Sequence, residues 1–216
     1  MMASTHIDQA ETADLATVSD WRYYDPAYTL PDLLDAALEL FVTCGYYGTS
    51  VRAIATKAGM TVPGLYYNFK TKQDILVALL RMSNEDLRRR GQAALADAGE
   101  DPRDRFIALV ENTVLYMTNR RRMAHLTREI RGLEEPYRSQ HVALRDEFEA
   151  MMLTEVISGR AVGKFGTDDP HEATRAVLVL CQGVADWYRT GGTKTPQDIA
   201  DRYVNFALAL VGDKGP

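Results

Sequence analysis

Cysteine is scarce in this chain. Cys44 and Cys181 are the only two in 216 residues. Both stand in segments of helical apolar periodicity, which predicts reduced, buried thiols in a cytoplasmic protein rather than a disulfide framework. Long apolar runs are missing too. No window approaches the roughly 18 uninterrupted hydrophobic residues of a membrane span, so no membrane partner is expected. The opening stretch MMASTHIDQAETADLATVSD has neither the basic nor the apolar region of a secretory signal, and residues 1–27 are expected to form a disordered arm. No segment alternates strictly between apolar and polar residues, which leaves the sequence without a strand pattern and makes the expected fold all-α. The signatures of common catalysis are absent as well: there is no G-x-S-x-G, P-loop or G-x-G-x-x-G. The four histidines are scattered, and His125 with Glu129 offers only two ligands on one helix face, too few for a metal site. Neither enzymatic activity nor a cofactor or metal is expected.

One absence is local. The chain carries a net charge of −5, yet no Asp or Glu occurs from Leu40 to Gln73, while Arg52, Lys57, Lys70 and Lys72 all fall in that interval. Salt screens distant charges beyond about 8–10 Å, so a compact basic face can bind phosphates on an acidic protein. A chance gap in acids is the plainer alternative.

What is present is punctuated helix. Thr29, Pro31 and Asp32 read as a helix start, and Leu33, Leu34, Ala37, Leu38 and Phe41 repeat at three-to-four spacing up to a terminating Gly45. A short helix follows from Val51 to Ala58, capped by Thr49 or Ser50, then a tight turn at Gly59-Met60 and a third helix capped by Thr61. Thr71-Lys-Gln-Asp74 has the form of a capping box and opens a long helix to about Leu95. Further amphipathic helices are predicted over about 102–120, 122–132, 135–158, 169–190 and 196–212. Residues 28–73 then form a helix-turn-helix domain and residues 74–216 a larger helical domain.

The spacing of helix, tight turn and helix over residues 50–69 has helix-turn-helix dimensions, in which the second helix enters the major groove. This explains an otherwise awkward MTVPGLYYNF at 60–69. Pro63 sits where its missing N–H costs nothing, and Gly64 keeps the leading end of the helix slim. Leu65 and Phe69 are expected to face a core, leaving Tyr66, Tyr67 and Asn68 outward.

The stretch TSVRAIATKAGMTVPGLYYNFKTKQDIL resembles the DNA-binding signature of the TetR family of repressors. Gly45, Thr49, Ile54, Ala55, Ala58, Gly59, Met60, Leu65, Tyr66, Phe69 and Lys72 carry the resemblance. It implies that Ser50, Tyr66 and Lys72 hold phosphates and that Arg52 reaches a guanine edge. Asn68 and Tyr67 would meet a base or phosphate, and Val62, Pro63 and Gly64 would make close apolar contacts. For Tyr66 a second role at the edge of the core is expected, and Lys57 reads better as a solvated lysine.

The resemblance also implies a homodimer formed by the last two long helices, binding pseudo-palindromic double-stranded operator DNA, and a small-molecule effector in the larger domain. ADWYRTGGTKTPQDIADRYVNFALALVG resembles the ending of family members that sense acyl-CoA thioesters. An acyl group needs apolar walls and the nucleotide needs cations. Tyr116, Met123, Leu126 and Met152 are candidates for the first, and Arg120 and Arg189 for the second, with Trp187 facing either ligand or dimer partner. Another apolar or aromatic effector, or none, stays open as an alternative.

Overall fold

A computed structural model describes residues 20–215; the expected arm up to residue 19 lies outside them. Ten α-helices follow Pro31: α1 Asp32–Gly48, α2 Val51–Lys57, α3 Val62–Asn68, α4 Lys72–Asp97, α5 Pro102–Asn119, α6 Arg121–His125, α7 Tyr137–Ala161, α8 Pro170–Gln182, α9 Val184–Trp187 and α10 Pro196–Leu210. A 3₁₀ turn, Leu126–Gly132, joins α6 to α7. Among the described residues there is no strand, only one antiparallel bridge between Phe165 and Asp213. No helix among them is long and apolar enough to cross a membrane.

The chain builds two apolar cores, and α4 enters both. Its first turns bring Ile75, Leu76, Leu79 and Leu80 to a core shared with Phe41, Ile54, Leu65 and Phe69. Its last turns bring Ala94 to a second core around Phe106, Leu109, Met152, Val177 and Ala207. The expected domain boundary at residue 73 therefore falls in the first turn of a helix that serves both cores. Helix α5 is buried nearly all round from Phe106 to Thr118, because α4, α7, α8 and α10 all pack against it.

Local expectations change in identifiable places. The first helix starts from Pro31, with no side-chain cap from Thr29, and runs past Gly45 to Gly48. Gly45 is a kink inside it (φ 73°) rather than its end. The segment from 122 to 132 tightens into 3₁₀ geometry after His125, and the segment from 169 to 190 breaks at Gly183 into α8 and α9. Cys181 is buried, and burial pushes its thiol up to about 12. Cys44 is exposed instead, one residue before the kink that turns the chain. The expected arm also fails over residues 20–27: Trp21 is only 3% exposed and belongs to the second core.

Candidate nucleic-acid interface

Two side-chain caps set the helix-turn-helix unit. Ser50 Oγ accepts from the Ala53 amide to start α2, and Thr61 Oγ1 accepts from the Gly64 amide at 3.2 Å to start α3. Between them Gly59 takes φ 66°, the left-handed conformation that glycine adopts without steric cost. Gly64 has an internal reason besides slimness: a Cβ there would lie 3.2 Å from the capping Thr61 hydroxyl. Pro63 fills the first turn of α3, where its missing donor is harmless.

Leu65 and Phe69 are buried as expected. Tyr66 is 49% exposed, half in the packing and half out, and Tyr67 is 81% exposed. Asn68 is exposed, but its Nδ2 donates to the Gly64 carbonyl at 3.0 Å, bracing the turn it sits on. On α2, Arg52 is exposed. Lys57 is ion-paired to Glu39 at 2.7 Å, which holds that carboxyl below its ordinary value. Of the four cations in the acid-free interval, Arg52 and Lys70 are unpaired among the described residues.

Lys72 is placed differently from a simple surface lysine. Its Nζ donates to the carbonyls of Tyr46 and Thr49, each at 2.7 Å, and lies 4.2 Å over the Tyr46 ring. Two of its three protons thus brace the turn between α1 and α2, and partial burial lowers the ammonium's pKa. Thr49, buried, donates from Oγ1 to the Leu40 and Gly45 carbonyls and closes the end of the kinked helix. Tyr47 is a residue that the motif did not single out. It is 78% exposed, turned outward by the Gly45 kink, and a kink is invisible to helical periodicity.

The second half reaches into this unit. Glu129 Oε2 accepts from the Tyr46 amide at 2.7 Å. His125 turns elsewhere, with Nε2 against the Ala185 carbonyl at 2.8 Å, so the two share no ligand position. Arg122 donates to the Asp35 carboxylate and carbonyl. The Tyr137 hydroxyl donates to Asp74 Oδ1 at 3.1 Å, while Asp74 Oδ2 accepts from the Thr71 amide to complete the capping box of α4.

Tyr137 also lines a cavity of about 320 Å³ between α4 and α7. Val77, Leu80, Leu133 and Leu144 give it apolar walls; Arg81, Gln140 and His141 supply polar groups. Burial lowers the pKa of His141. The Asn84 amide nitrogen, which can only donate, meets its Nδ1 at 3.1 Å, so the neutral ring carries its proton on Nε2. The sequence signal for this wall was the three-to-four spacing of 137, 140, 141 and 144 against 77, 80 and 81.

The candidate effector residues are divided among several places, and none lines this cavity. Met123 and Leu126 fill the first core and Met152 the second. Tyr116 is fully buried, its hydroxyl 2.8 Å from Ser83 Oγ. Arg120 is packed between Asp86 and the rings of Tyr24 and Tyr28. Arg189 is exposed. Trp187 is exposed and stacks on Tyr203, donating to its hydroxyl at 3.2 Å. The reason is packing: Tyr116 on α5 turns into the second core and Met123 on α6 into the first. Val179, Trp187, Phe206 and Leu210 are exposed apolar side chains on α8, α9 and α10.

Comparisons with known proteins agree with this architecture. Residues 33–79 match the family model for bacterial regulatory proteins of the tetR family, and residues 99–211 match that for the tetracyclin repressor-like C-terminal domain. The chain is 29% identical over 180 residues to the HTH-type transcriptional repressor KstR2 of Rhodococcus jostii, covering 82% of this chain and 88% of the relative. A tetR-family regulatory protein from Rhodococcus RHA1 superposes with a TM-score of 0.78 at 26% identity, over 85% of this chain and 97% of that one. AibR, solved with isovaleryl coenzyme A and operator DNA, shares the fold with a TM-score of 0.73 at 21% identity, over 84% and 97% of the two chains. With both halves matched, the chain belongs to the TetR family: it is a DNA-binding transcriptional regulator and not an enzyme.

Proposed function

We propose that this protein is a one-component cytoplasmic repressor whose dimer binds a pseudo-palindromic operator and is released by a small apolar effector, an acyl thioester. In this reading Arg52, Tyr66, Tyr67 and Lys70 face DNA, with Ser50, Asn68 and the slim Val62-Pro63-Gly64 edge beside them, and Lys72 gives its remaining proton to a phosphate. The exposed apolar side chains of α8, α9 and α10 meet their copies across a two-fold axis.

The observation that carries the effector half is the hydrogen-bonded chain Tyr137–Asp74–Thr71, which ties the wall of the α4–α7 cavity to the turn just after α3. At about 320 Å³ the cavity lies at the small end of ligand pockets, roughly 300–1,000 Å³. It suits an acyl group and its carbonyl, with the nucleotide outside near the exposed Arg81. AibR, solved with isovaleryl coenzyme A and operator DNA, motivates coenzyme A thioesters as the first probes. An effector acts only through different affinities for operator-bound and operator-free states, and displacement of Tyr137 supplies that difference.

The test begins with a duplex recovered from a randomised pool on the purified protein, followed by titration with acyl-CoA thioesters of increasing chain length. One of them is expected to release the duplex, and Tyr137→Phe to keep thioester binding while losing release. No enriched duplex would sink the operator reading. A duplex held against every thioester would sink the effector class and favour another apolar ligand, or none.

A further inference from the structure

Residues 20–30 cross from one core to the other along the outside of α4. Leu30 packs in the first core and Trp21 in the second. Both lie ahead of residues 33–79 and 99–211, the parts matched to the family models. The crossing is held by an unusual density of directed contacts. Arg22 makes a two-pronged pair with Glu111, Nε to Oε1 at 2.7 Å and Nη2 to Oε2 at 2.9 Å, and donates from Nη1 to Asp97 at 3.1 Å. Trp21 Nε1 donates to the same Asp97 oxygen at 3.2 Å, beneath the Arg22 guanidinium. In return α4 grips the segment: Arg90 Nη1 donates to the Trp21 and Tyr23 carbonyls at 3.0 and 2.7 Å, and its guanidinium lies 3.9 Å from the Tyr24 ring centre. Arg120, at the end of α5, lies 4.1 Å over the Tyr28 ring.

These contacts are mostly charge-assisted, which makes them strong but reversible. Glu111 is buried, and Arg22 is its one cation among the described residues; its other partner is Gln197 of α10 at 3.1 Å. The segment therefore joins α4, α5 and the helix offered for dimerisation to the start of the DNA-binding unit. Its far anchor, Asp97, is the last residue of α4, and Leu30 packs in the core served by the first turns of the same helix. A second member beside α4 limits how far the DNA-binding unit can turn about it.

We propose that residues 20–30 are a tether whose docking onto the α4–α5 seam fixes the DNA-binding unit in its operator-competent pose, so that docking and operator affinity rise and fall together. The inference rests on the operator-binding reading and adds a control point apart from the effector cavity.

The chain has two tryptophans, so Trp187→Phe leaves Trp21 as the only one, and its emission reports docking. Because Trp187 lies on the face offered for dimerisation, the Trp187→Phe protein is itself the reference for emission and for duplex affinity. In that background Arg22→Glu sets a carboxylate against Glu111 and Asp97. Trp21 emission is expected to shift to the red with helical content unchanged. Because apparent Kd scales inversely with the competent fraction, a tether docked about a tenth of the time weakens duplex binding about tenfold. Adding Glu111→Arg restores an opposite pair and is expected to recover both signals, which general damage to the fold would not. Exposure of Trp21 with affinity unchanged within about twofold overturns the proposal, as does weakened binding with Trp21 still buried. Trp21 that stays buried with affinity intact also overturns it, because these charge pairs then do not hold the segment. Should Arg22→Glu fail to fold, the doubly reversed variant alone decides: Trp21 buried with the affinity of the Trp187→Phe reference supports the tether, and buried with greatly weakened affinity refutes it. Failure of the unaltered protein to select any duplex is a different result and strikes the operator reading.

Discussion

Lys72→Ala removes a side chain that lies at the junction of three helices, and its cost can be worked from the geometry. Two charge-assisted hydrogen bonds, to the Tyr46 and Thr49 carbonyls at 2.7 Å each, disappear together with the cation over the Tyr46 ring. Bonds to charged groups contribute about 1.5–3 kcal/mol apiece. The site is only partly buried, so water reaches the abandoned carbonyls and screening reduces the figure; about 2 kcal/mol in all is expected. For a chain of this size that lowers Tm by about 4–8 °C. Melting at one fixed protein concentration is the assay, since dimerisation makes Tm concentration-dependent. A Tm within about 1 °C of the unaltered protein would refute the brace. The same variant tests the third proton. Each phosphate neutralised by a lysine contributes about 0.9 to the slope of log affinity against log salt. The slope is therefore expected to become shallower by about 0.9 for each phosphate that Lys72 holds. A lowered Tm with an unaltered slope would make Lys72 an internal brace alone.

Two more outcomes follow from other buried groups. A Cβ at Gly132 would lie 2.6 Å from Tyr46 Cδ1, and Tyr46 is held between Phe41 and Lys72. Gly132→Ala is therefore expected to cost about 1–3 kcal/mol by overpacking and to weaken duplex binding, checked by urea unfolding and titration. His141 has a pKa lowered below 6.5, first by burial and then by Arg145. The folded state then resists protonation while the unfolded chain accepts it, so this stability is complete above pH 6.5 and declines as pH falls toward the folded value, by at most about 1.4 kcal/mol per pH unit. The loss between pH 7 and 5 should be smaller in His141→Gln; an equal or larger loss in the variant would contradict the assignment.

The local pieces of this protein were legible in its sequence. A cap at Thr49 or Ser50, the cap at Thr61, the Thr71–Asp74 box, the tight turn at Gly59, and the inward spacing of Leu65 and Phe69 all depend on neighbours within about four residues, where periodicity and capping chemistry act. The all-α class and the family followed from those pieces. Other matters were set by residues far apart in the chain and needed the assembled fold. That Lys72 also braces the turn between α1 and α2 could not be read until Tyr46 and Thr49, more than twenty residues earlier, presented their carbonyls to it. The effector residues chosen from apolar stripes on α5 and α6 were absorbed by core, while the cavity opened between α4 and α7, whose facing side chains leave a gap that no single stripe reveals. Residues 20–27 read as structureless because they lack a period, and a segment held by paired charges and ring faces needs none. Helical pattern records which side of a helix is apolar; only the assembled cores decide whether that side meets protein, ligand or a strap from elsewhere in the chain.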